Sequence, residues 1–330
     1  MNTFFCSDNS RNAQEDMIGS ATNCDTYVLI ECRPPWAAEP FDTKWLPENL
    51  RKLQLEIKKA KLSVKFLLIA NNESHKANNT TLLIYQAQKG TNNINNINNS
   101  YSKHEFLLPS LEEVAGVVKK CLAGGNSAYE VEAIASRDIL VCTHGSRDRC
   151  CARYGNPFYY HAQSTIADLG LKNIRLWKSS HIGGHRFAPT MIDLPQGRYY
   201  GGITQEYFQS ILTRSGDIDL FNQIYRGWGM FPESLQVLER ELIQRYGWSW
   251  FDYKVSGRIL EENEDRSKIQ GEISFTTTDG SKYIYLGEIT KNNSKSLELK
   301  VSCNAVKDSL CQKYSVTSLS LVAEKAIAFV

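Results

Sequence analysis

Short apolar runs and one helical repeat alternate along the N-terminal third of the chain. Runs rich in apolar and β-branched residues predict four strands, at 26–32, 63–70, 80–86 and 104–108. Leucine and isoleucine recur every three or four residues near 47–60, which predicts a helix between the first two strands. The order is therefore β-α-β-β-β, and the pattern predicts one more helix after the fourth strand.

The segments beside these elements carry start, stop and loop signals. Ser110 and Glu113 form a capping box, which predicts the start of the second helix. The pair Gly124-Gly125 predicts its end. Between the third and fourth strands, the asparagine-rich tract at 90–100 has low complexity and predicts a disordered surface loop.

The same order of elements recurs in the middle of the chain. Its strands are predicted at 138–142, 174–178, 191–194 and 198–203. We expect Asn156 to cap the first helix, with Pro157 at its first position and Gly170 at its end. Thr204 caps the second helix. Two β-α-β-β-β-α units in tandem indicate a duplication.

From about residue 217 the pattern changes. A helix near 233–246 is followed by predicted strands near 254–260, 269–277, 281–289, 296–303 and 314–322. Asp279-Gly280 is a strong hairpin signal between two of these strands. This part is predicted to be a small α+β module with an antiparallel sheet, and it contains no recognisable catalytic motif.

Composition narrows the class of protein. A chain of 330 residues is expected to form two or three domains. Hydrophobic content of 42% and charged content of 22% are ordinary for a soluble globular protein. The net charge of +2 gives no overall attraction to nucleic acid or to a membrane. The N-terminus is not predicted to be a signal peptide and no apolar run could span a bilayer, so we expect a cytoplasmic protein.

Charge is unevenly distributed. Residues 142–200 carry eight basic and three acidic side chains, an excess of five positive charges. A solvated surface explains this excess as well as a docking site for an acidic redox partner does. The basic residues are Arg147, Arg149, Arg153, Lys172, Arg175, Lys178, Arg186 and Arg198.

The candidate chemistry is concentrated in residues 142–185, which hold three of the nine cysteines and four of the six histidines. Cys142 and Cys151 are too far apart for a zinc knuckle, but a loop between them could wrap a binuclear cluster. Gly183-Gly184 between His181 and His185 allows a tight turn beside an inorganic ligand. Two thiolates and two imidazoles suit a 2Fe-2S cluster with mixed ligation, or a zinc ion.

Five of the other six cysteines are expected to be small buried apolar residues, because a disulfide framework is not expected in an intracellular chain of this length. They are Cys24, Cys32, Cys121, Cys303 and Cys311.

The run from Trp177 to Gly201 resembles the second half of thioredoxin-like 2Fe-2S ferredoxins, with His-x3-His in place of their Cys-x3-Cys. Together with Cys-x-His-Gly-x-Arg-Asp at 142–148, it is closer still to the sucrase/ferredoxin-like family. Cys6-Ser7, Ile18–Ala21 and Pro34-Pro35-Trp36 are similar to the N-terminal part of that family.

The resemblance implies an α/β protein with two tandem thioredoxin-like domains. These would be a degenerate domain at 1–125 and a cluster-binding domain at 136–216, followed by the α+β module at 217–330. The ligands of bis-histidinyl members correspond to Cys142, Cys151, His181 and His185.

The neighbours of these ligands have less specific roles. Cys150 adjoins Cys151 and is the alternative ligand. His144 either tunes the cluster through a hydrogen bond or only supports the loop. Arg147 and Asp148 are expected to form an ion pair that shapes the loop.

The predicted function is electron transfer or redox sensing with a redox protein partner. The alternatives are a structural zinc module and, from the family's name alone, a sucrose-cleaving hydrolase.

Overall fold

The computed structural model describes residues 4–72, 74, 79–87, 100–133 and 135–325, and residues 90–99 of the asparagine-rich tract lie outside these ranges. The first set of elements is α1 (Cys6–Asn12), β1 (Thr26–Glu31), α2 (Glu48–Lys59), β2 (Val64–Ala70), β3 (Thr80–Ala87), β4 (Tyr101–Leu108), α3 (Val114–Leu122) and β5 (Glu130–Val131). The second set is β6 (Arg137–Cys142), α4 (Arg149–Asp168), β7 (Ile174–Ser179), β8 (Thr190–Leu194), β9 (Arg198–Gly201), α5 (Gln205–Thr213), α6 (Phe221–Ile224) and β10 (Tyr225–Trp228).

Ten of the described strands form one mixed sheet in the order β10-β9-β8-β6-β7-β2-β1-β3-β4-β5. Strand β1 is parallel to β2 and antiparallel to β3, which pairs antiparallel with β4. Strand β6 is likewise parallel to β7 and antiparallel to β8, which pairs antiparallel with β9. The two halves therefore share one strand order and one set of directions. They meet where β2 pairs antiparallel with β7.

Strand β1 shows why the predicted strands are continuous apolar runs. Its side chains alternate between two cores, because successive residues of a strand point to opposite faces. Tyr27 and Leu29 belong to the larger core, which extends to α4, α5 and the C-terminal helix. Val28 and Ile30 belong to a second core, which is completed by α2 and α3. Both faces of the sheet are thus covered.

One predicted helix start and one predicted capping box are wrong. Helix α4 begins at Arg149 rather than after Asn156, because the Asp148 carboxylate accepts a hydrogen bond from Cys150 N at 2.9 Å and caps the helix earlier. Pro157 lies inside this helix. Ser110 makes no side-chain cap hydrogen bond, and a 3-10 turn precedes α3. The first correction places Cys150 and Cys151 in the first turn of α4.

The C-terminal part consists of one helix on a small sheet. Its elements are α7 (Glu233–Tyr246), β11 (Lys254–Glu262), β12 (Lys268–Thr276), β13 (Lys282–Lys291), β14 (Leu297–Leu299), β15 (Ser309–Cys311) and β16 (Tyr314–Lys325). Strands β11, β12, β13 and β16 form an antiparallel sheet, and β12 and β13 flank the predicted hairpin at Asp279-Gly280. Leu238 of α7 approaches the sheet so closely that a Cβ at Gly287 would lie 2.2 Å from its side chain. Strand β10 lies after the predicted domain boundary at residue 217 but belongs to the large sheet. The boundary stays a prediction.

Within the described ranges, the helices do not include one that is both long and apolar enough to cross a membrane.

Asp138 at the start of β6 joins the two halves of the sheet and is fully buried. Its carboxylate accepts hydrogen bonds from Tyr85 and Lys103 of the first half, at 2.5 and 3.0 Å. It also accepts bonds from Arg175 and Trp177 of the second half, both at 2.8 Å. Burial alone would raise the pKa of Asp138, but the hydrogen bonds and charge of Arg175 outweigh it and lower the pKa.

We predict that Asp138→Asn lowers the free energy of unfolding by about 3 kcal/mol, because it removes one of the two buried carboxylates, Asp138 and Glu105, that neutralise Arg175 and Lys103. Urea unfolding measures the loss. The control is Asp252→Asn, which breaks an exposed ion pair with Arg214 and is expected to cost less than about 1 kcal/mol. Equal losses in the two variants would contradict this role of Asp138.

Gly155 lets α4 pack against the end of β6. A Cβ at this position would lie 1.9 Å from the carbonyl oxygen of Cys142. We predict that Gly155→Ala destabilises the protein by about 1–3 kcal/mol through overpacking. Gly116→Ala in α3 is the matched control, since nothing lies within 4 Å of its added Cβ. We expect Gly155→Ala to lower the melting temperature and Gly116→Ala to raise it, because alanine stabilises an open helical position by about 0.5–1 kcal/mol relative to glycine. A stable Gly155→Ala protein would contradict the close approach.

Candidate metal centre

The candidate ligands come from neighbouring strand ends. Strands β6 and β7 are adjacent and parallel, so their carboxyl ends meet at one edge of the sheet. Cys142 ends β6 opposite Ser179, and His181 follows two residues after Ser179. His185 opens the next 3-10 turn, and Cys151 lies in the first turn of α4. We call these four residues the cysteine–histidine group.

Three members of the cysteine–histidine group converge closely. His181 Nδ1 lies 4.0 Å from Cys142 Sγ and 3.7 Å from Cys151 Sγ. The three ligand atoms lie within 4.8 Å of one another, a separation that allows one metal ion to bind all three. The rings of His181 and His185 stack with their centroids 4.9 Å apart, which places His185 beside His181 but outside the set of three converging ligand atoms.

The glycines between the histidines are required by the local backbone. Gly183 and Gly184 have φ values of 96° and 72°, a region that disfavours other residues. A Cβ at Gly184 would lie 2.5 Å from Arg226 Nη2, and Arg226 Nη1 donates to the Gly183 carbonyl at 2.9 Å. The predicted tight turn therefore also accommodates a buried guanidinium.

The protonation states of Cys142 and His185 suit metal binding. Cys142 and Cys151 are each 1% exposed. A hydrogen bond from the Cys151 thiol lowers the pKa of Cys142 well below its usual range, whereas the same bond raises the pKa of Cys151. Burial lowers the pKa of His185, so its imidazole is neutral near pH 7, which is the form that binds metals. His185 Nδ1 is buried and has no hydrogen-bond partner in the described part of the chain.

His144 holds the backbone of the first histidine in place. Its Nδ1 accepts a hydrogen bond from His181 N at 3.2 Å, and its Nε2 donates to the Ala37 carbonyl at 2.8 Å. The Trp36 ring packs edge-on against the imidazole, with 5.8 Å between centroids. His144 therefore connects the Pro34-Pro35-Trp36 segment to the cysteine–histidine group.

The predicted ion pair between Arg147 and Asp148 is wrong. Arg147 pairs with Glu39, a partner from a distant loop. Asp148 instead accepts hydrogen bonds from Cys150 N and Cys303 N, both at 2.9 Å. Two backbone N–H groups are rigidly placed donors, whereas an exposed arginine loses side-chain freedom in such a pair. The loop is thus shaped by helix capping.

The structure contains a second group of candidate ligands that the sequence does not predict. Cys150 Sγ lies 3.6 Å from Cys6 Sγ and 3.2 Å from Cys303 Sγ, with Asp148 beside them. Cys303 was predicted only as a small buried apolar residue, and its separation from Cys6 exceeds any motif spacing. The Cys150-Cys151 doublet was the one local signal. Cys151 belongs to the cysteine–histidine group and Cys150 to this second group.

Much of the positive charge expected near the centre is offset by other parts of the chain. Arg175, Arg186 and Arg198 pair with carboxylates outside residues 142–200. Arg149 and Arg153 remain exposed on the first turns of α4.

Comparison with known proteins gives a family. The sucrase/ferredoxin-like family matches residues 17–227, a region that extends from the segment after α1 to β10 and contains the whole cysteine–histidine group. Cys6 and Cys303 lie outside the matched region. No curated protein and no solved structure matches the chain. Because the match covers more than half of the 330 residues, the chain belongs to the sucrase/ferredoxin-like family.

Proposed function

We propose that this protein is an electron carrier or redox sensor that holds a 2Fe-2S cluster through Cys142, Cys151, His181 and His185. The observation that carries the proposal is the convergence of two buried thiols and the His181 imidazole at one edge of the sheet, with the His185 ring stacked on His181. Thiolate and imidazole together are the donor set of mixed-ligand 2Fe-2S centres.

The residues present fit such a group. Cys142 has the lowered pKa that a thiolate ligand needs, and His185 Nδ1 is a buried nitrogen without a hydrogen-bond partner in the described chain. Cys151, rather than Cys150, lies near His181, which favours Cys151 as the second thiolate. When bound, a 2Fe-2S cluster supplies a one-electron centre whose potential is higher with imidazole than with four thiolates.

The fold of each half supports the proposal. In both halves the strand order is second-first-third-fourth, with the first two strands parallel and the others antiparallel. We propose that each half is a thioredoxin-like unit and that the first is degenerate, since the four candidate ligands all come from the second.

Two basic side chains contact the loop between the histidines. Lys65 Nζ donates to the Ile182 carbonyl at 3.0 Å, and Arg226 Nη1 donates to the Gly183 carbonyl. Burial lowers the pKa of Lys65 to about 8 and that of Arg226 to about 10, so both are mainly cationic at pH 7. The positive charges of Lys65 and Arg226 favour the reduced state of a bound cluster, which is the more negative state. They also stabilise the Cys142 thiolate.

The four proposed ligands differ in their exposure to solvent. The thiols are buried, whereas His181 is half-buried and the His185 side chain is 18% exposed. Electrons and protons therefore reach the site most directly past the imidazoles. Arg149 and Arg153 are exposed on the helix that carries Cys151, and we propose that they dock an acidic redox partner.

A structural zinc site is the second candidate, because one observation favours it. The ligand atoms of Cys142, Cys151 and His181 lie within 4.8 Å of one another, close enough for one tetrahedral ion to bind all three.

Metal and sulfide analysis separates the candidates. Two irons and two acid-labile sulfides per chain, with visible absorbance that dithionite bleaches, support the cluster. A colourless protein with zinc in this group after anaerobic purification contradicts it.

We predict that His181→Cys retains a cluster but lowers its reduction potential by on the order of 100 mV, because a thiolate replaces a neutral ligand. Potentiometric titration followed by EPR measures the shift. The matched control is His161→Cys, which adds a thiol on the exposed face of α4 and should leave the potential unchanged. An unchanged potential in His181→Cys would show that His181 is not a ligand.

A further inference from the structure

Three cysteines from distant parts of the chain meet at the start of α4. Cys6 opens α1, Cys150 lies in the first turn of α4, and Cys303 follows β14. Asp148, the capping residue of α4, lies beside them. The four ligand atoms lie within 4.8 Å of one another. We call these residues the three-cysteine group.

The distances match one metal ion. Sulfur ligands of a tetrahedral zinc ion, with bonds of about 2.3 Å, lie about 3.8 Å apart. The three Sγ–Sγ distances are 3.2, 3.6 and 3.7 Å. The Asp148 oxygens lie 3.8 and 4.0 Å from Cys6 Sγ, and one of them lies within 4.8 Å of all three sulfurs, which is close enough for a fourth ligand. The ligands of a larger cluster would be spread more widely.

The group is closed to solvent. Cys6 and Cys150 are fully buried, Asp148 is 1% exposed and Cys303 is 7% exposed. Burying several acidic groups together is unfavourable unless a cation or hydrogen bonds compensate them. Arg149 approaches from outside, but it donates to the Cys303 carbonyl rather than to a sulfur.

Cys150 is prepared to act as a thiolate. Ser7 N and Ser7 Oγ donate to its sulfur at 3.4 and 3.2 Å, as donors commonly do around metal-bound ligands. The N-terminal end of α4 also favours negative charge at this position.

We infer that Cys6, Cys150 and Cys303, with the Asp148 carboxylate as fourth ligand, form a second metal site that holds a zinc ion. Soft thiolate ligands select zinc over hard cations, and a closed site with four protein ligands is typical of structural zinc. Binding of the zinc ion releases the thiol protons of Cys6, Cys150 and Cys303 to solvent and needs no oxidant or reductant. The inference does not rest on the proposed function, because the two groups share no ligand.

The position of the site indicates its role. It ties the N-terminal helix and the segment after β14 to the helix that carries Cys151. Both Cys6 and Cys303 lie outside the region that matches the sucrase/ferredoxin-like family. The zinc would therefore anchor parts of this chain that the matched region does not include.

The test is the metal content of the full-length protein purified under reducing conditions, measured by native mass spectrometry and elemental analysis. We expect one zinc equivalent per chain that Cys6→Ser and Cys303→Ser lose while the metal of the cysteine–histidine group stays. Cys311→Ser is the matched control, since it removes another buried C-terminal cysteine and should retain the zinc. Cys142→Ser should also retain it, which separates this site from the proposed cluster. Zinc that persists in Cys303→Ser, or wild-type protein without this equivalent, overturns the inference.

Cobalt titration keeps the inference testable if a single variant fails to fold. In full-length Cys142→Ser/Cys151→Ser protein, Co²⁺ should give the visible absorption of a tetrahedral thiolate site, and added Cys303→Ser should abolish it. A disulfide between Cys150 and Cys303 would also overturn the inference. It would be detected by mass spectrometry after alkylation of the protein purified under reducing conditions.

Discussion

Both groups of candidate ligands depend on one interaction, the capping of α4 by the Asp148 carboxylate. Its hydrogen bond to Cys150 N starts the helix eight residues before the proline signal, so that both cysteines of the doublet enter the first turn. Successive residues of a helix point about 100° apart. Cys151 therefore faces the histidines while Cys150 faces Cys6 and Cys303. The same carboxylate lies 3.9 Å from His185 Nε2, so it contacts both sides.

The large sheet supplies the other half of the geometry. Because β6 and β7 are parallel neighbours, Cys142 and the segment before His181 leave the sheet side by side. Gly155 lets α4 approach the Cys142 carbonyl, and Gly184 leaves room for the guanidinium of Arg226. The first half of the sheet has the same strand order, but its role at the centre is support. Its strands β3 and β4 hold Asp138 at the far end of β6, and Lys65 of β2 contacts the loop between the histidines.

The parts of this arrangement that were predictable from the sequence are the local ones. The strands of both halves, the hairpin after β12 and the Thr204 cap follow from periodicity and turn chemistry, and all are present. The glycine turn between His181 and His185 was also predictable, since backbone with positive φ favours glycine. The start of α4 was not, because Asn156-Pro157 is as good a local signal as Asp148, and only tertiary contacts to Cys303 distinguish them. The three-cysteine group was not predictable either, since Cys6 and Cys303 are separated by 297 residues and meet only in the folded chain.

The central claim is that two histidine nitrogens bind the same cluster as two cysteine sulfurs. Pulsed EPR of the dithionite-reduced protein, labelled with ¹⁵N only in histidine, tests it most directly. The account predicts two strongly coupled ¹⁵N nuclei, and one of them should disappear in His185→Cys. A reduced cluster without strong histidine coupling, or a protein with no EPR signal and no iron, would contradict it.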